Sequence, residues 1–77
     1  MTRSKQTTLA ISRALREIDP AIVPEDCATE IYYDSKERMW YAQFLNTQGH
    51  QVGYLGWGRT PQTAVFDLMQ ANDGLPF

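Results

Sequence analysis

The chain has 77 residues with seven Lys or Arg against nine Asp or Glu, a formal charge of -2 and a pI near 5.1, so its surface as a whole does not attract polyanions. That length holds one hydrophobic core, hence a single domain over 1–77, and 43% hydrophobic with 21% charged residues excludes disorder. The single cysteine, Cys27, excludes an internal disulfide, and no run of about 18 apolar residues is present to cross a membrane, so a cytoplasmic protein without membrane contact is expected.

The first residues, MTRSKQTTLAISRAL, are basic but lack the apolar stretch and small-residue cleavage site of a secretory signal. Ile11, Ala14, Leu15 and Ile18 recur at helical spacing, which predicts an amphipathic helix over 4–18, ended by Asp19-Pro20. Ala21, Ile22 and Val23 between two prolines read as an apolar strap, and Pro24-Glu25-Asp26 as a single turn. The period then changes to two. Strands are predicted over 29–33, 39–45 and 51–55, separated by the hairpin loops DSKER and NTQGH. Thr60 as N-cap with Pro61 behind it starts a second helix over 61–72, whose Ala64, Val65, Leu68 and Met69 share one side, and Asn72-Asp73-Gly74 stops it.

These elements predict an α+β fold: an α-β-β-β-α two-layer sandwich with a three-stranded antiparallel sheet and both helices on one face. Alternation sorts the strand residues into two sets, Ile31, Tyr33, Trp40, Ala42, Phe44, Val52 and Tyr54 on one face and Tyr32, Met39, Tyr41, Gln43, Leu45 and Leu55 on the other. Both sets are apolar, whereas a half-solvated sheet should be apolar on one side only. The stretch GYLGWG, with Gly53, Gly56 and Gly58 around Tyr54 and Trp57, admits two readings. The glycines leave backbone uncovered beside two aromatics for a partner, or they make room for packing while Trp57 caps the core. A one-residue bulge there would also turn Trp57 to the opposite face.

Charge is segregated. Arg3, Lys5, Arg13 and Arg16 precede any acid, whereas 17–37 carries Glu17, Asp19, Glu25, Asp26, Glu30, Asp34 and Glu37 against Lys36 alone. Two solvated faces of a small protein are the preferred reading of this pattern, ahead of a field that steers a partner. The sequence offers little for catalysis. His50 is the only histidine and falls in a hairpin loop, and Cys27 has no neighbouring base in sequence. One Cys and one His fall short of a zinc site, and Asp34-Ser35-Lys36-Glu37 lacks the spacing of a calcium loop. No catalytic residue, metal or cofactor is therefore assigned, and a non-enzymatic protein is expected. Arg59 before the second helix is a candidate anion contact.

The element order, with a glycine-containing stretch leading into helix two, resembles the double-stranded RNA-binding domain over most of the chain. That resemblance implies nucleic-acid binding. The lysine cluster that opens the family's second helix is replaced here by TPQTAVFDL, with only Arg59 before it. Trp40, Ala42 and Phe44 in one strand, with Gly58, Thr60, Pro61 and Ala64 at the closing helix, are similar to short phage-encoded α/β sandwich proteins. This second resemblance covers about half the chain and implies a mobile-element accessory protein that occludes a host protein, as anti-CRISPR inhibitors do. Two functions are consistent with these features. In one, Tyr32, Met39, Tyr41, Leu45, Leu55 and Trp57 form a protein-binding face, for a second copy in a homodimer or for a host protein. In the other, Arg3, Lys5, Arg13, Arg16 and Arg59 contact nucleic acid, with Trp57 or Tyr54 stacking on bases.

Overall fold

The computed structural model describes residues 5–75, and side chains from 7 onward. In chain order these are α1 (Lys5–Arg16), β1 (Ala28–Asp34), β2 (Met39–Leu45), β3 (Gln51–Gly58) and α2 (Pro61–Asn72). The strands form one antiparallel sheet in the order β1-β2-β3, which is the α-β-β-β-α, α+β arrangement that the sequence predicts. Helix α2 packs on the sheet, chiefly on β3, and α1 lies beside α2.

Local chemistry explains where the elements stop. Helix α1 ends at Arg16, not at Ile18. The last two residues tighten into i to i+3 bonds, Glu17 N–H to the Ala14 carbonyl and Ile18 N–H to that of Leu15, because Pro20 holds Asp19 out of the helical region. Each turn is then closed by a short polar side chain folded onto its own backbone. Asp19 Oδ1 accepts from the Ala21 N–H at 2.9 Å. Asp34 Oδ1 accepts from Lys36 at 2.9 Å, and Asn46 Oδ1 from both Gln48 and His50 at 3.0 Å. At the start of α2 the Thr60 Oγ1 accepts from the Thr63 N–H at 3.1 Å, while Thr63 Oγ1 accepts from the Thr60 N–H at 3.0 Å. With Pro61 at the first helical position, this reciprocal cap fixes the start where the sequence places it.

The third strand runs to Gly58, beyond the predicted end at Leu55. Trp40, Ala42 and Phe44 on β2 lie opposite Gly58, Gly56 and Val52, so β3 spends two more residues than β2 between the last two pairs. Gly53, at φ +77, absorbs the excess. Because side chains alternate with period two, an insertion of two residues leaves the faces unchanged. Trp57 therefore stays on the side of Tyr41 and directly opposite it.

The core is small: Ala14, Ile31, Ala42, Phe44, Ala64, Val65 and Leu68 are buried together. Gly56 and Gly58 belong to the same side of the sheet. A Cβ on Gly56 would run into the Leu68 backbone nitrogen and lie 2.5 Å from the Ala64 carbonyl oxygen, and one on Gly58 would run into the Thr63 side chain. The glycines thus let α2 lie against the backbone of β3. They do not leave backbone uncovered beside Tyr54 and Trp57.

Side chains of α2 bond the backbone of β3 at Tyr54 and Trp57. Asn72, 1% exposed, accepts the Tyr54 N–H at 2.8 Å and donates to the carbonyls of Tyr54 at 2.9 Å and Leu68 at 2.7 Å. Asp67 Oδ2 accepts the Trp57 N–H at 3.0 Å. Tyr54, grouped by alternation with the core set, is lifted out by the irregularity and stands 62% exposed.

Two substitutions test this attachment by denaturant unfolding. Gly56→Ala places a methyl group in the helix backbone and is expected to cost about 2 kcal/mol or more. Asn72→Leu leaves the Tyr54 N–H and carbonyl without partners and is expected to cost about 2–4 kcal/mol. A loss under about 0.5 kcal/mol in both would contradict the packing described.

A candidate protein-binding face

The core face of the sheet is set by Ile31, Ala42 and Phe44, which the helices cover, so their neighbours in sequence point to the opposite side. No described helix packs on that side. Tyr32, Tyr41 and Trp57 lie in register across β1, β2 and β3 and form a row of aromatics perpendicular to the strands. The Tyr32 and Tyr41 rings are stacked, with centroids 5.4 Å apart and planes inclined by 21°. Trp57 is 57% exposed, whereas Tyr32, Met39, Tyr41, Leu45 and Leu55 are half-buried.

Polar groups frame the row. On one side Gln43 Nε2 donates to Glu30 Oε1 at 2.8 Å across the β1–β2 pair, and on the other Met39 lies opposite Asp34. Of the six predicted face residues, Tyr32, Met39, Tyr41, Leu45 and Trp57 hold register positions of one parity on the sheet, with Trp57 open and the other four half-buried, whereas Leu55 lies within the β3 irregularity, half-buried and without a registered partner on β2. Sequence reasoning missed Asp67 and Asn72, which hold the strand that presents Trp57. A signal for Asn72 exists: it continues the stripe of Pro61, Ala64, Val65 and Leu68, and a polar residue on an apolar stripe needs a buried partner.

The basic residues are more scattered. Arg3 and the Lys5 side chain lie outside the described residues. Arg13 and Arg16 are exposed in the last turn of α1, where cations complement the helix carbonyl end, and Arg59 is exposed before α2. Gln62 Nε2 lies 3.5 Å from Glu17 Oε1, which brings the end of α1 to the first turn of α2. An acid therefore shares that end with Arg16. Thr60 and Thr63 already occupy the cap of α2.

His50 is exposed in the β2–β3 turn and Cys27 is half-buried against the core. Among the described residues no group of three His, Cys, Asp or Glu is placed to hold a metal ion, and no helix is long and apolar enough to cross a membrane. An open groove of about 460 Å³ runs between the end of α1 and the start of β1, lined by Leu15, Ile18, Pro20, Val23 and Thr29. Comparison with protein-family models, with curated proteins and with solved structures finds no match to this chain.

The face has a titration signature. Desolvation first, then the charges of Glu37 and Asp34 and the neighbouring Tyr32, push the Tyr41 hydroxyl above its ordinary value of 10.0. An acid whose pKa is raised on folding keeps its proton when the unfolded chain has lost it, so stability is whole below pH 10 and declines as pH rises through the folded value. Titration of phenolate absorbance should show a tyrosine component above 10 that Tyr41→Phe removes. Loss instead of a component at or below 10 would contradict this environment.

Proposed function

We propose that this chain is a non-catalytic protein-binding module that docks a protein partner on the uncovered sheet face. One observation carries the reading: the aromatic row of Tyr32, Tyr41 and Trp57 lies across all three strands on the side the helices do not cover. Stacking fixes the two tyrosines before any partner arrives, so little side-chain entropy remains to be lost on binding. Tyrosine and tryptophan are also the residues that most often anchor interfaces, since each offers a large apolar body with a polar tip. Glu30 and Gln43, bonded to each other, and Asp34 supply a polar rim.

The sequence resemblance to small phage-encoded α/β sandwich proteins supports a finer version, a mobile-element accessory protein that modulates a host protein by covering part of its surface. Nucleic-acid binding ranks below it. Arg13, Arg16 and Arg59 are exposed, but Glu17 sits among them and the chain is acidic overall.

The test uses wild type, Tyr41→Lys and Trp57→Lys as baits, with binding of each captured protein then measured in purified form. The expected result is a partner whose affinity falls at least about tenfold, or ~1.4 kcal/mol, in both variants, with melting curves of folded protein retained. A partner that binds all three baits equally, or affinity for RNA that falls with salt and is lost on Arg13→Ala and Arg16→Ala, would overturn it.

A further inference from the structure

The two outer edges of the sheet are treated differently. The edge of β3 receives Asn72 and Asp67 from α2. The edge of β1 receives nothing from the described residues. Which of its groups face outward follows from the ladder. The Asn46 N–H donates to the His50 carbonyl, so Asn46 and, two residues back, Phe44 turn their backbone toward β3, while Gln43 and Tyr41 turn theirs toward β1. The Trp57 N–H agrees, since it lies opposite Tyr41 and points away from β2 to Asp67. Glu30 and Tyr32 therefore spend their backbone groups on β2, and Thr29, Ile31 and Tyr33 present theirs to the outside.

An unpaired edge is a template for another strand. We propose that two copies of this chain pair through β1, antiparallel about a two-fold axis at Ile31, so that their sheets become continuous. Three features select this occupant and this register. The axis at Ile31 brings all of β1 into the pairing, from Ala28 opposite Asp34 of the second copy to the reverse. It places the outward groups of Thr29, Ile31 and Tyr33 against those of Tyr33, Ile31 and Thr29, and each such pair exchanges two backbone bonds. It also sets Glu30 opposite Tyr32 and never against an acid, whereas an axis one residue later would force Glu30 against Asp34 and put inward-facing groups at the centre.

Side chains on the helix side fit the same register. Tyr33 is 47% exposed although it lies on the core side of β1, where its ring meets that of Trp40 at 5.2 Å. In the paired sheet it stands directly opposite Thr29 of the second copy, the residue that borders the groove of Leu15, Ile18, Pro20 and Val23. Each copy thus supplies an exposed aromatic and receives one beside its groove. This dimer goes beyond partner docking on the open face, because it uses the edge of the sheet and leaves that face free, with the two aromatic rows on one continuous surface.

Sedimentation equilibrium over a concentration series tests the pairing on wild type, Thr29→Pro, Tyr33→Lys and Tyr41→Lys. The Thr29 N–H points away from β2, so proline there removes a bond of the dimer and none of the monomer, and Tyr33→Lys answers if that variant does not fold. The expected result is a wild-type dimer, unchanged in Tyr41→Lys, whose dissociation constant rises at least about tenfold in Thr29→Pro and Tyr33→Lys while circular dichroism stays that of the folded chain. A wild-type monomer at every concentration, a dimer that survives both edge variants, or one dissolved by Tyr41→Lys alone would overturn the proposal. Those outcomes leave the test of the open face, read from captured partners, separate.

Discussion

The backbone of α2 stands where side chains at Gly56 and Gly58 would otherwise be. That close approach governs how the sheet is finished on both sides. It lets the second helix reach the outer edge of β3 with two side chains, Asp67 at its middle and Asn72 at its end, and so replaces the missing fourth strand with side-chain hydrogen bonds. A three-stranded sheet has two edges to manage, and an edge left bare invites association. Here one is bonded from within the chain, and among the described residues the far face and the edge of β1 are left uncovered.

The same geometry explains how a small core supports so much aromatic surface. Among the described residues, three of the seven in the buried core cluster are alanines, Ala14, Ala42 and Ala64, which permit short distances between layers and leave Phe44, Val65 and Leu68 to fill the space. With the helix drawn down onto β3, the large side chains Tyr32, Tyr41 and Trp57 have no place between the layers. They stand on the far face, where the Tyr32 and Tyr41 rings stack and Trp57 lies opposite Tyr41. The two-residue irregularity at Gly53 completes the arrangement. It lifts Tyr54 away from the core while leaving Trp57 in the aromatic row.

The fold was largely legible in the sequence because its signals are local. Period-two runs marked the strands, Thr60-Pro61 marked the start of α2, and Asn72-Asp73-Gly74 its end, with Gly74 at φ +80. What failed to show was contact between distant residues. Alternation alone put Tyr54 in the core, because nothing in GYLGWG says that two residues are extra relative to β2. Asn72 looked like a stop signal, and its buried role depends on Tyr54, 18 positions away. The glycines admitted two readings, and the position of α2 chose between them. Trp57 keeps its register with Tyr41 and Tyr32 because parity survives an even insertion; a single extra residue would have sent it to the helix side.

Native-state hydrogen exchange of the Tyr54 and Trp57 backbone amides tests the central attachment most directly, since both point away from the ladder on an edge strand and depend on α2 alone. Exchange is expected to be slowed at least about a hundredfold relative to an unstructured chain at both sites, with the Tyr54 protection lost in Asn72→Ala and that of Trp57 in Asp67→Ala. Exchange at unprotected rates in the folded wild-type chain would show that α2 does not seal β3, and the division of the sheet into a closed and an open edge would fail with it.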